Sequence, residues 1–428
     1  MWSQWKHSIQ AWSQDSDGFL RVFSVLSSST LLVHLINLFA YPLVARLYSP
    51  EFIGQRVLFV GIASILVIYV SWGYEIAVNT PKEQQDAQQL TAGALGIVLL
   101  NSLVVLSFIA LFPFSFYESV GWASLWTYRF FLPLACLFGG AFRVLNHWML
   151  RKEAYPLIAR TKIYRNLTKA AIEITGGLLY PQTYWLVGAW LLGGFSSALR
   201  FAWLFFKQTF SWSAIWSMLR KYRRFPQFQL ASNFLYVFHL QLPLLMISWL
   251  FSDYELGQYA MSMALFGVAS AVVVESYSNY HLVQFSKMVQ HQERHWRDYF
   301  WKMLARALFL GLSIGMMIIL FGPWAVKILL GAQWEMAGQL FQILSILFGS
   351  LLIYSFNFHV FTQLDYQWAQ LVFNLIKVVL LLTIFWMYFQ SGTWTILQII
   401  IWVGLLDWIM SGLQSIFSYF ILQTKLGR

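Results

Sequence analysis

Eleven ionisable side chains sit inside otherwise apolar runs. They are His34, Glu75, Arg143, His147, Glu173 and Arg200 in the first part of the chain, and His239, Glu275, His359, Lys377 and Asp407 in the second. A charge at the centre of a bilayer costs at least about 2.5–3.5 kcal/mol on insertion scales, so such residues are the first candidates for chemistry. Arg143, in LFGGAFRVLNHW, has two readings: a guanidinium that holds an anionic group in a cavity, or one that snorkels toward Arg151 and Lys152. Lys377 and Arg200 are the next cationic candidates, and Arg200 lies near the end of its run, where snorkelling suffices. Asp407 and Glu275 are carboxylates that can follow a proton or sodium gradient. The competing reading is an intramembrane ion pair, for instance Asp407 with Lys377. Glu75 reads as structural. There is no HExxH, no clustered Cys and no carboxylate-rich loop, so no metal, cofactor or catalytic centre is expected.

The elements that must position these residues are set by composition. The 428 residues are 59% hydrophobic and only 11% charged, with a mean hydropathy of +0.60, against about 25% charged residues in a soluble domain. The apolar residues come in blocks of helical length rather than alternating, which excludes a soluble core and a β-barrel and leaves an all-α integral membrane protein. The net charge of +11 does not indicate nucleic acid, because the basic residues fall in particular connections. Cys136 is the single cysteine and lies in an apolar run, so no intramolecular disulfide is possible. The first residues lack the apolar core of a cleavable signal, and none is expected.

Hydropathy predicts twelve spans. They cover about 19–44, 56–78, 91–113, 129–150, 159–180 and 184–206, then 227–250, 257–284, 303–329, 337–361, 367–389 and 394–422. Residues 1–18, with Trp2, Trp5, Ile9 and Trp12 at helical spacing, predict an amphipathic surface helix. Residues 207–226 predict a basic amphipathic cytoplasmic connector, with a stripe of Trp212, Ile215, Trp216 and Leu219 before RKYRR. The two six-helix halves are then 19–206 and 227–424. Basic residues concentrate after span four (Arg151, Lys152, Arg160, Lys162, Arg165), after span six (Lys207, Arg220, Lys221, Arg223, Arg224) and after span eight (Lys287, Arg294, Arg297, Lys302). This asymmetry puts both termini in the cytoplasm, with Arg46 and Arg56 as outer-side exceptions.

The halves echo one another. RLYSPEFIGQ, from Arg46 to Gln55, and LFSDYELGQ, from Leu250 to Gln258, share the order Leu, aromatic, Ser, three variable residues, Ile or Leu, Gly, Gln. Gly54 and Gly257 each fall between the first and second spans of a half. Six spans per half is an even number, so the repeat is parallel. His34 and His239 occupy the first span of each half, as a pair facing one cavity or as hydrogen-bonded core histidines. Arg46, at the outer end of span one, meets either a polar ligand or the outer head groups.

YPLVARLYSPEFIGQ, GYEIAV and NTPKEQQDAQQL at 41–90, and RRFPQFQLASNFLYVFHLQLPLLMISWLF at 223–251, carry a family pattern; RNLTKAAIEITGGL at 165–178 carries it more weakly. The chain resembles the O-antigen flippases (Wzx-type) of the multidrug/oligosaccharidyl-lipid/polysaccharide exporter superfamily. The resemblance implies a non-enzymatic transporter in the bacterial cytoplasmic (inner) membrane. It would move undecaprenyl-diphosphate-linked oligosaccharide from the inner to the outer leaflet by alternating access, for O-antigen or other surface polysaccharide. It also implies membrane lipid, and polymerase and chain-length proteins of the same pathway, as partners. Under it Arg143, Lys377, Arg200, Arg46, His34 and His239 become substrate-binding candidates, and Asp407 and Glu275 ion-coupling candidates.

Two other classes compete. A multidrug/cation antiporter would share the scaffold. A membrane polysaccharide polymerase or glycosyltransferase would need a large outer loop with charged catalytic residues, whereas residues 113–128 carry only Glu118.

Overall fold

The computed structural model describes residues 28–206, 209–290, 296–364 and 366–426; within these segments the side chains of some residues, His239 and Glu275 among them, lie outside the description. The surface helix expected at 1–18 also lies outside the described residues, as do Lys207 and Arg294. Among the described residues the chain is helical with no strand. In the first part the helices are α1 Ser28–Leu47, α2 Pro50–Tyr69, α3 Tyr74–Ala77, α4 Gln84–Leu111, α5 Phe114–Ser119, α6 Leu125–Tyr128, α7 Phe131–Arg151, α8 Tyr155–Leu179, α9 Thr183–Phe205 and α10 Trp212–Lys221. Next come α11 Arg224–Leu250, α12 Asp253–Gln290, α13 Trp296–Leu330, α14 Glu335–Ser345, α15 Leu347–Gln363, α16 Gln367–Ser391 and α17 Ile396–Leu426.

The distribution of side chains is the reverse of a soluble protein. Helix α4 buries Gln89, Thr91, Asn101 and Ser102 while exposing Leu99, Leu100, Leu103 and Phe108. Helix α17 buries Ser411, Gln414, Ser415 and Ser418 and exposes Ile409, Leu413, Ile416 and Phe420. With lipid as solvent there is no gain from burying leucine, whereas an unsatisfied polar group in hydrocarbon costs several kcal/mol, so the polar face turns inward. Helices α1, α2, α4, α13, α16 and α17 are long and apolar enough to cross a membrane, and Ala332–Ser345 with α15, bent by 44°, form a further candidate. The chain is a multi-pass membrane protein.

Several helices differ from the spans expected. The second expected span, 56–78, is not one helix: α2 ends at Tyr69, Trp72 and Gly73 take positive φ of 51° and 75°, and α3 follows. The Asn101 side chain donates to the Val70 carbonyl at 3.0 Å, meeting one of the backbone groups released by the break. Helices α12 and α13 extend beyond the expected 257–284 and 303–329 because amphipathic turns continue the helix past the apolar segment.

The chain divides into two compact units, residues 1–47 with 59–238, and 48–58 with 239–428. In the first, α7 packs against α4 and α9, α9 also against α8, and α10 lies on α4. Ile215 and Leu219 of α10 cover Gly93, and the Tyr74 hydroxyl donates to the Leu219 carbonyl at 2.9 Å. Trp212 and Trp216 stay exposed. In the second, α13 packs on α14 and α15, α15 on α17, and α12 on α14 and α15.

The two copies of the echoed motif meet inside the second unit. A Cβ on Gly54 would overlap the Asp253 carbonyl and lie 3.0 Å from the Gly257 nitrogen. Reciprocally, a Cβ on Gly257 would overlap the Pro50 carbonyl and lie 3.1 Å from the Gly54 nitrogen. Each glycine thus points a Cα hydrogen at the carbonyl four residues before the other, a close crossing that only glycine permits at both positions. Gln55 adds a hydrogen bond to Asp253 at 3.3 Å. Gln258 instead donates to the Gln333 carbonyl at 2.6 Å and accepts from the Ala337 amide at 2.8 Å. Gly54→Ala should lower stability in detergent by about 1–3 kcal/mol, the usual magnitude for overpacking. Gly96→Ala, where a Cβ meets open space, should be neutral or stabilising. Thermal unfolding of the two variants checks this, and equal melting temperatures would refute the crossing.

Candidate functional site

Helix α7 presents two adjacent stripes in the first unit. Arg143 and His147, one turn apart, face the α2–α3 break. The Arg143 guanidinium meets the Glu75 carboxylate at 2.7 Å, with the Glu75 side chain fully buried and that of Arg143 32% exposed. His147 Nδ1 lies 3.2 Å from the Asn79 amide. The left-handed turn at Trp72–Gly73 is what drops Glu75 onto α7, and the close approach rests on Gly139 and Gly140. A Cβ at either would press on Val67, Val70 or Val98. Arg143 is therefore ion-paired across two helices, with Glu75 as its partner.

The other candidates are distributed between the units. Lys377 of α16 and Asp407 of α17 form an ion pair, the pairing that sequence offered as one alternative. Arg200 on α9 lies over the Tyr164 ring at 5.3 Å. His34 is half-buried in α1, and Arg46 is exposed at the end of that helix. Glu173 is buried and 3.7 Å from Lys169 one turn earlier. His359 shares a hydrogen bond of 2.8 Å with Ser278. The side chains of His239 and Glu275 lie outside the described residues.

The second stripe of α7, Phe142 and Asn146, lines a cavity of about 600 Å³ in the first unit, within the usual range for a ligand site. Its charged wall comes from α8, where Lys162, Arg165, Asn166 and Lys169 point inward. These positions, with Glu173, fall within an arc of about 100° on a helix of 3.6 residues per turn. Ser29 and Thr30 of α1 and Trp190 and Gly193 of α9 complete it. Gly193 lets α9 approach the Arg165 backbone, since a Cβ there would lie 3.2 Å from the Arg165 carbonyl oxygen. Lys162 donates to the Thr30 hydroxyl at 2.8 Å, and the Arg165 guanidinium sits 5.1 Å from the centre of the Phe142 ring. Among the described residues the carboxylate beside the three cations is Glu173, 3.7 Å from Lys169, so the described wall is mainly basic. Its amides, hydroxyls and indole suit a polar ligand bearing phosphate or sugar.

Sequence reading passed over this site. Sequence alone places Lys162 and Arg165 with the connection after span four, and Asn166 and Lys169 within the weaker family-like stretch 165–178. The legible signal was the three- and four-residue spacing of Lys162, Arg165, Lys169 and Glu173. Among the described residues no group of three or more His, Cys, Asp or Glu side chains could hold a metal.

The Arg143–Glu75 pair makes a stability prediction. Arg143→Met strands a carboxylate with no exposure to water and should destabilise by about 3–5 kcal/mol, while the double change with Glu75→Gln removes both charges and should recover most of that loss. Detergent melting temperatures of the singles and the double give the coupling; additive effects would show that the two do not interact.

The family match spans more than half of the chain and reaches into both halves. Residues 43–339 match a family described as polysaccharide biosynthesis protein, a stretch holding nearly all of 41–90 and all of 223–251. No curated protein matches the sequence significantly. Among solved structures, the chain is similar to the lipid II flippase MurJ in an inward closed conformation. That pair has a TM-score of 0.71 at 12% identity, over 92% of this chain and 87% of that one. It is also similar to an inward-facing multidrug resistance MATE family transporter of the MOP superfamily, with a TM-score of 0.68 at 12% identity, over 94% of this chain and 98% of that one. At such identity the likeness speaks for the fold. The chain belongs to the polysaccharide biosynthesis protein family and has the fold of MOP-superfamily transporters.

Proposed function

We propose that the protein is a flippase for lipid-linked oligosaccharide, moving undecaprenyl-diphosphate-linked repeat units from the inner to the outer leaflet of the bacterial cytoplasmic membrane for O-antigen or another surface polysaccharide. The observation that carries this reading is the basic cavity of the first unit. A diphosphate cannot cross hydrocarbon unaided, and Lys162, Arg165 and Lys169 offer it charge-assisted hydrogen bonds of about 1.5–3 kcal/mol each. Asn146, Asn166 and Trp190 supply amide and stacking contacts of the kind a sugar uses. A cavity wall that carries Lys162, Arg165 and Lys169 disfavours a cationic drug as cargo. The scaffold in this reading has twelve spans in two parallel six-helix halves with both termini cytoplasmic. The family match and the fold of the two transporters support it, and so does the reciprocal crossing at Gly54 and Gly257.

Reconstitution tests it. Vesicles carrying a prenyl-diphosphate oligosaccharide should move it to the far leaflet when the protein is present. Lys162→Gln, Arg165→Gln and Lys169→Gln together should slow that about thousandfold, since each lost bond is worth roughly a factor of ten. Arg160→Gln, on the exposed side of α8, should transport normally. Unchanged transport in the triple variant would remove the cavity from the mechanism.

A further inference from the structure

We propose that the groove between α12 and α13 is a binding site for an anionic phospholipid of the surrounding bilayer, with its headgroup phosphate on Arg306. This inference needs only the multi-pass membrane fold and is independent of the transported cargo. The groove encloses about 810 Å³ in the second unit; Val273, Tyr277 and Tyr280 of α12 form one wall and Arg306, Phe309 and Leu310 of α13 the other.

Arg306 lies on the wrong face of its helix for a structural role. The packing face of α13 runs through Met303, Ala307, Gly311, Gly315, Ile318 and Gly322. Arg306 instead shares a face with Phe309, Met316, Leu320 and Trp324, all strongly exposed, the stripe that meets lipid. It has no described carboxylate within ion-pair distance, unlike Arg143, Lys377 or Lys169. A guanidinium without a described partner there is costly unless the headgroup layer can be reached.

Helix length sets the depth. The 35 residues of α13 span about 52 Å at 1.5 Å per residue, some 22 Å more than a hydrocarbon core of about 30 Å. Arg306 is about 15 Å along the axis from Trp296, so a centred helix places it just inside the boundary of the leaflet that Arg297 and Lys302 mark as cytoplasmic. From there an arginine reaches the phosphate layer, and basic pockets between spanning helices on this side suit anionic headgroups.

The groove is also held rigid, which distinguishes a site from a surface charge. The Tyr277 hydroxyl donates to the Met303 carbonyl at 2.9 Å, and His281 Nδ1 lies 3.0 Å from the Tyr299 hydroxyl. These ties fix α12 to α13 beneath the opening, while the exposed Tyr280 phenol remains at the rim as a second donor. Phe309, Leu310 and Val273 give an apolar wall for an acyl chain. One guanidinium with one phenol matches a single phosphodiester. The three cations of the first-unit cavity make a better match for a diphosphate.

Native mass spectrometry of the delipidated full chain, titrated with phosphatidylglycerol or phosphatidylcholine, tests the site. The expected result is preferential retention of phosphatidylglycerol, weakened about tenfold by Arg306→Gln, largely kept by Arg306→Lys, and untouched by Arg297→Gln. Tyr280→Phe should weaken it by a smaller factor, which preserves the test if Arg306→Gln folds poorly. Equal retention of the zwitterionic lipid, or full retention by Arg306→Gln, would overturn the proposal. So would tighter capture of undecaprenyl diphosphate at the same residues, which would make the groove part of the cargo path. Matching losses of lipid-free stability in Arg306→Gln and Glu275→Gln would overturn it too, by making Arg306 the partner of that carboxylate.

Discussion

A polar group inside hydrocarbon must be satisfied by the protein, and this one requirement organises the molecule. It turns α4 and α17 inside out, with Gln89, Asn101, Ser411 and Gln414 buried while leucines and phenylalanines face lipid. It also explains why charges within spans occur in company. Glu75 has Arg143, Lys377 has Asp407, and Glu173 has Lys169. Such pairs are poor evidence for stability as such, because desolvation offsets most of the attraction. Their effect is to join particular helices: α3 to α7, and α16 to α17.

The first-unit cavity gathers several charged groups on one wall. Lys162, Arg165 and Lys169 line it together, with Glu173 beside Lys169 among the described residues. Helix α7 separates the two situations by one residue. Phe142 and Asn146 face the cavity, whereas Arg143 and His147 serve the broken end of α2. The break is thus a support for the cavity wall as well as an interruption of a span. It holds α7 by a charge pair that a continuous helix through residues 70–73 would not form.

Much of the architecture could be read from hydropathy alone, because apolar runs of helical length have few alternatives in a membrane. The echoed glycines were legible for the same reason that they matter, since a small residue in a repeated context marks close approach. The cavity was not legible in that way. Charges on a helix face that points into a protein lower the hydropathy of the run and raise the basic count beside it, just as loop charges do. Lys162 and Arg165 therefore look in sequence like loop charges that set orientation. The α2–α3 break was hidden differently: Gly73 is an ordinary turn residue, but nothing about Trp72 announces a positive φ. Pairing was only half visible, with Lys377–Asp407 among the alternatives and Arg143–Glu75 absent from them.

The partition of α2 has a consequence for how the chain is made. Its first turns, residues 48–58, belong with the second unit, although residues 59–238 of the first lie between them and the rest of that unit in sequence. Gly54 therefore leaves the ribosome long before Asp253 and Gly257, the residues that cross it in the finished protein. At 5–20 residues per second the wait for Asp253 and Gly257 is on the order of 10–40 s. Throughout it the Gly54 face of α2 stands open in a half-made protein. Membrane insertion machinery or lipid has to cover that notch until the matching glycine arrives.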